Sequence, residues 1–316
     1  MATTVLTISS VKSIAAPTKA ADASLTRRPR MRRTSSRSLS CAVIQAAARR
    51  RLYTATRTVI ADSAALSQSA SVRVRLPATL ARPVFKNIDS KVLESVDPSL
   101  ASVPLEYVHD QLRVAGSSML SAAASTKPAR ELGSLEQHID VTVDESHSHV
   151  PTHMLAVWSK NAQNNGVRKV ELFPVHDLVL AATCAHMPPL QRTTPHETSG
   201  DNTTVNLPVV PICVPHRETF ALLQQYLYTR QTDRLLACLL PGTSGDVRAE
   251  DVARHYAQTC SSAVLMQHAA QVHGLWSNAC VLGVFDESFW RVLDLSWALL
   301  MESLRLIQAS SAVNQS

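Results

Sequence analysis

The chain has 316 residues, 45% hydrophobic but only 4% aromatic, enough for one large domain or one domain with a long appendage. Its net charge of +6 is unevenly placed: residues 1–86 hold 16 Lys and Arg against Asp22 and Asp62, a balance of +14, and the remainder holds 15 against 23 acids, a balance of −8. Basicity therefore belongs to the tail, and is no argument that the mildly acidic body grips nucleic acid.

Residues 1–86 are built from Ser, Ala, Thr and Arg with no stable apolar period. Such a segment buries too little surface to offset its ordering entropy, so a disordered basic tail is expected. Arg27, Arg28, Arg30, Arg32 and Arg33 form one basic cluster and Arg49-Arg-Arg51 a second. The tail reads as a nuclear-import signal, as a mitochondrial transit peptide processed near Arg51-Leu-Tyr53, or as a plain solvated segment. Arg32-Arg-Thr-Ser35 also fits a basophilic kinase site, where phosphate on Ser35 would place about −1.5 to −2 of charge inside the cluster.

Pro104 opens a helix whose apolar face carries Leu105, Val108, Leu112, Ala115 and Met119, and Lys127-Pro128 ends it. A polar linker with Gly133 follows. Residues 152–159 and 167–173 read as strands joined at Asn164-Asn-Gly166, since Asn-Gly favours the positive φ of a hairpin turn. The hairpin runs into a helix from Val175 to about His186, stopped by Pro188-Pro189. Residues 191–206 read as a surface loop. Leu207–Pro215 is extended, and its prolines assign it to a sheet edge or an irregular strand.

Helices follow over 217–228 and 233–240, the second closed by Pro241-Gly242. Gly242-Thr-Ser-Gly245 lacks nucleophile-elbow spacing and reads as a turn before a helix from about Val247. Val252, Tyr256 and Cys260 mark one stripe, and Leu265, Ala269, Val272 and Trp276 a second. Asp286 caps a third, through Phe289, Leu293, Ser296, Leu300, Leu304 and Ile307. The expected organisation is a tail over 1–86, a helical lead-in and linker over 87–149, a core over 150–241 and a helical extension over 242–316.

Phe173, His176, Leu180, Ala181 and Ala182, then Phe220, Leu223, Tyr226, Tyr228 and Thr229, follow a Phe-x-x-His-x-x-x-Leu-Ala-Ala helix and a later Phe-x-x-Leu-x-x-Tyr-x-Tyr-Thr helix. This pairing after a hairpin resembles the BTB/POZ fold and implies an α+β domain with helices added at both ends. Cys184 stands where that family usually has Ser, Met187 where it has Phe, and Asp177 where it has Lys or Arg. The longer runs Pro151–Val157, Leu207–Pro211, Leu227–Thr229 and Val272–Cys280 resemble the clampless proteins of basidiomycete fungi, across residues 88–305. That resemblance implies a nuclear regulator of mating-type-dependent sexual development, including clamp formation and dikaryon growth, working through contacts with transcription factors of the mating pathway. A BTB-type adaptor or self-associating scaffold is the alternative, and an imported mitochondrial protein a second.

No catalytic set, cofactor or metal site is expected. His147, His149 and His153, with Cys184-x-His186 and Cys213-x-x-His216, have the residue types of a zinc site but lack the paired short spacings of one. His176 opens its helix, where a neutral imidazole can accept a backbone N–H, and Thr183 and Cys184 lie about two turns beyond its reach as a base. Six scattered cysteines fit a reducing, soluble, intracellular setting, and no apolar run reaches the roughly 20 residues that span a membrane. Tyr226, Tyr228 and Trp290, with Trp276 and Trp297, are the large aromatic anchors, of a kind that serves cores and interface hot spots alike; at helical spacing they read more often as core, and if one is exposed it is Trp290, off the Leu293–Leu300 stripe.

Overall fold

Breakers, caps and distant backbone partners set the element boundaries. The computed structural model describes residues 76–130, 134–144, 149–160, 163–164, 167–190, 204–242 and 249–313. Its elements run α1 (Ser90–Val96), α2 (Leu105–Ser125), β1 (Lys127–Pro128), β2 (His138–Thr142), β3 (His153–Trp158), β4 (Gln163–Asn164), β5 (Val167–Arg168), β6 (Glu171–Val175), α3 (Asp177–Thr183), β7 (Thr204–Cys213), α4 (Phe220–Thr229), α5 (Thr232–Leu239), α6 (Ala249–Thr259), α7 (Ser262–Leu282) and α8 (Glu287–Val313). The fold is α+β, as expected, with eight α-helices among the described residues and a mixed, curled five-stranded sheet of order β1-β2-β7-β3-β6. No described helix is long and apolar enough to cross a membrane.

β3 and β6 pair antiparallel with Leu155 opposite Phe173, and β4 and β5 continue the ribbon with Asn164 opposite Val167. That register leaves two residues for the turn, although Asn165 and Gly166 lie outside the described set. β7 departs from the expected edge position. Thr204–Pro208 pairs with β2 and Val209–Cys213 pairs, in parallel, with β3, so each half is registered with a different neighbour. Pro208 and Pro211 are tolerated because a half-paired strand does not demand a donor at every position. The expected loop over 191–206 gives way to strand from Thr204, and the linker after Gly133 contains β2.

Both faces of the sheet are covered, which explains the unbroken apolar run Met154–Val157. Met154 joins Ile139, Val141, Val143 and Leu207 in a small cluster on one face. Leu155, Val157, Phe173 and Val175 join the main core, which draws on residues from Leu80 to Leu304. Phe173 and Phe220 meet edge to face, centroids 4.9 Å apart, so the two signature segments share one interior.

α2 shows its expected stripe, with Val108, Leu112 and Met119 buried. Gly116 lies so close to the backbone of Tyr228 in α4 that a Cβ there would strike the Tyr228 carbonyl. α3 ends at Thr183, short of the expected prolines, because Ala185 and His186 donate instead to Gly283 and Leu282 at the end of α7. A helix cannot continue where its backbone N–H groups are taken by another element. In α7, the buried Asn278 amide accepts the N–H of His216 at 3.0 Å and donates to its C=O at 2.6 Å, fixing the turn into α4.

Candidate interaction surface

Helices α7 and α8 present a groove, and the chain itself lies in it. Residues 77–88 form an irregular strap, bent at Ala78 and Thr79 and read from sequence largely as the end of the tail; Pro77, Leu80, Ala81 and Arg82 dock against the helices, contrary to that expectation. Trp297 Nε1 donates to the Pro77 carbonyl at 3.1 Å, and Trp276 Nε1 donates to the Ala81 carbonyl at 2.7 Å. Between these two contacts Leu80 is buried in the main core.

Next along the strap, Arg82 spans two acids of α8: Nη1 reaches Glu287 at 2.7 Å, and Nη2 and Nε reach Asp294 at 2.5 and 3.2 Å. These side chains are 40–58% exposed. Pairs so open to water contribute about 0–1 kcal/mol, so they orient the strap more than they hold it. Beyond Arg82 the strap lifts: Val84 is 91% exposed and Phe85 65%, with Phe85 resting edge-on against Phe285, centroids 5.3 Å apart.

The expected anchors lie elsewhere. Tyr226, Tyr228 and Trp290 are all buried and take core positions. Trp290 is enclosed despite its offset from the Leu293 stripe, because α5, α6 and α7 all pack on α8; its Nε1 donates to the Val284 carbonyl at 2.9 Å.

Tyr226 donates its hydroxyl to Asp286 at 2.8 Å, and Arg230 reaches the same carboxylate oxygen at 3.0 Å. The other Asp286 oxygen accepts the N–H of Ser288, making Asp286 the expected cap of α8. Burial and the adjacent Asp286 charge hold the Tyr226 hydroxyl well above its usual range.

His176 is at the expected helix start, but its imidazole caps nothing. The Tyr228 hydroxyl accepts the His176 N–H at 2.8 Å and meets Nδ1 at 2.9 Å, while Thr152 Oγ1 accepts the Asp177 N–H at 2.8 Å. Burial drives the His176 pKa down to about 4, which keeps the ring neutral so that Nδ1 accepts from Tyr228. Cys184 is buried and its thiol is pushed up to about 12, which leaves it a packed apolar group rather than a nucleophile.

Of the histidine trio, His153 is buried with Nδ1 2.9 Å from Thr152 Oγ1, and His147 lies outside the described residues. Arg27, Arg28, Arg30, Arg32, Arg33 and Ser35 lie outside them too.

Sequence reasoning missed the strap residues Leu80, Arg82 and Phe85. The available signal was indirect: two C-terminal tryptophans carry indole donors that a buried setting obliges to find acceptors, and no polar neighbour in sequence supplies one.

Two family models match the chain: the Clampless protein 1 N-terminal domain over residues 83–215 and the Clampless protein 1 C-terminal domain over residues 233–316. No curated protein and no solved structure matches it.

Proposed function

The chain belongs to the clampless family, and on that premise we propose a non-enzymatic regulator of mating-type-dependent sexual development that works by binding transcription factors. Family membership suggests the role in fungal clamp formation and sexual development. The observation that supports the reading is the pair of family matches, which together take in the sheet and all the helices except α4, between the two matches. The BTB-like core belongs to the same proposal. It is supported by the β3–β6 hairpin running directly into α3 and by the Phe173–Phe220 contact.

The regulator acts in the nucleus, with the basic clusters of the tail as its import signal. Purified full-length chain, assayed by calorimetry against the mating-pathway transcription factors of its native host, should bind at least one at micromolar affinity or tighter. Loss of the gene should abolish clamps. A strain that forms normal clamps without it ends the developmental reading, and a mitochondrial signal from a fluorescent fusion of residues 1–85 ends the nuclear one.

A self-associating BTB-type scaffold is the second reading, favoured by Phe85 and Val84 standing exposed beside Phe285. Light scattering separates the two: a stable dimer supports the scaffold and a monomer the transcription-factor regulator.

A further inference from the structure

The strap reads as a bound peptide. Its backbone is held at two carbonyls four residues apart, Pro77 and Ala81, with a bend at Ala78 and Thr79 between them. The two indole donors come from different helices and recognise main-chain atoms, so they do not discriminate among side chains. Selectivity falls to two positions. One is the apolar seat filled by Leu80, and the other is the pair of carboxylates, Glu287 and Asp294, which lie two turns apart on α8 and bracket the Arg82 guanidinium. An apolar residue followed two positions later by a cation is what these features select.

We propose that the α7–α8 groove is a recognition site for a partner peptide of that chemistry, and that residues 77–86 occupy it in cis as a competing pseudo-ligand. The strap suits that role because it can leave. It contributes no strand or helix, its ion pairs are exposed, and only Leu80 among its side chains reaches the core. The cost of displacing it is correspondingly small, since it is that of exposing one buried leucine side chain. A partner peptide that repeats the same contacts regains that amount, so its affinity is set by competition with a tethered copy at high local concentration. The groove does not depend on the transcription-factor reading; it holds for any partner that carries the pattern.

The test uses the full chain and a fluorescein-labelled synthetic peptide with the sequence of residues 77–88. In the natural chain the tethered strap should keep the labelled peptide out. In a strap-released chain carrying Leu80→Asp and Arg82→Glu, anisotropy should show binding at least ten-fold tighter than to the natural chain. Leu80→Asp in the peptide should remove the gain, and Arg82→Glu in the peptide should weaken binding several-fold. Equal affinity for both chains, with cooperative melting intact, overturns the proposal. Should the released chain fail to melt cooperatively, hydrogen exchange on the natural chain decides: saturating peptide must speed exchange across residues 77–86, and unchanged exchange there overturns the proposal as well.

Discussion

Asp286 and Asp294 each hold an arginine near the start of α8, one facing α4 and the other facing the strap. The Asp286–Arg230 pair is 16% exposed on both sides and shares its carboxylate with Tyr226 and the α8 cap. The Asp294–Arg82 pair is about 40% exposed and shares its guanidinium with Glu287. Equal chemistry thus does unequal work. In the interior a lost partner leaves an uncompensated buried charge, whereas at the surface water replaces it.

The sharpest way to break that contrast is Asp286→Ala. It strands Arg230 and the Tyr226 hydroxyl and removes the cap of α8, so it should cost about 3–4 kcal/mol in urea unfolding. A loss below 1 kcal/mol would place Asp286 with the surface pairs. Gly116→Ala follows at about 3 kcal/mol, because the new methyl meets the Tyr228 carbonyl on the helix that carries Tyr226. Alanine is itself favoured over glycine in a helix by about 1 kcal/mol, so a net gain in melting temperature would show that α2 shifts to make room.

Acid should separate interior from surface by a similar amount. His176 has its pKa lowered to about 4, with His149 and Asp177 as its charged neighbours, and His109 and His273 are also lowered, each mainly by burial. Unfolded histidine protonates near 6.5, so the stability these rings contribute is present above that pH and is lost as pH falls from about 6.5 towards 4. His176 alone should account for about 3 kcal/mol of that decline, and His176→Gln should flatten the curve in the same window. An unchanged slope in the variant would remove the buried ring from the account. Arg82→Ala is the smallest expected effect, under about 1 kcal/mol by thermal melting, with strap exchange rising and the core unchanged.

Where local pattern decides structure, the sequence was legible. Val108, Leu112 and Met119 announced α2, Asp286 announced its cap, and the Phe173 and Phe220 segments announced a common interior. Where partners are distant it was not. β2 has only Ile139 and Val141 to signal it, and its mate begins at Thr204. α3 stops for backbone acceptors at Leu282 and Gly283, far along the chain from any local cue. Trp290 stood off one stripe of α8, yet a helix packed on several sides has no free face for an offset residue to reach. The strap has no period at all, and only its tertiary contacts define it.

That strap also has a place in time. Its seats at Trp276 and Trp297 lie 195 and 220 residues downstream of Ala81 and Pro77. At a synthesis rate of about 5–20 residues per second, Leu80 and Arg82 leave the ribosome roughly 10–40 seconds before the helices that receive them exist. The nascent chain therefore carries its own ligand, unattached, while most of the protein is still being made, and closing the groove is among the last events of its assembly.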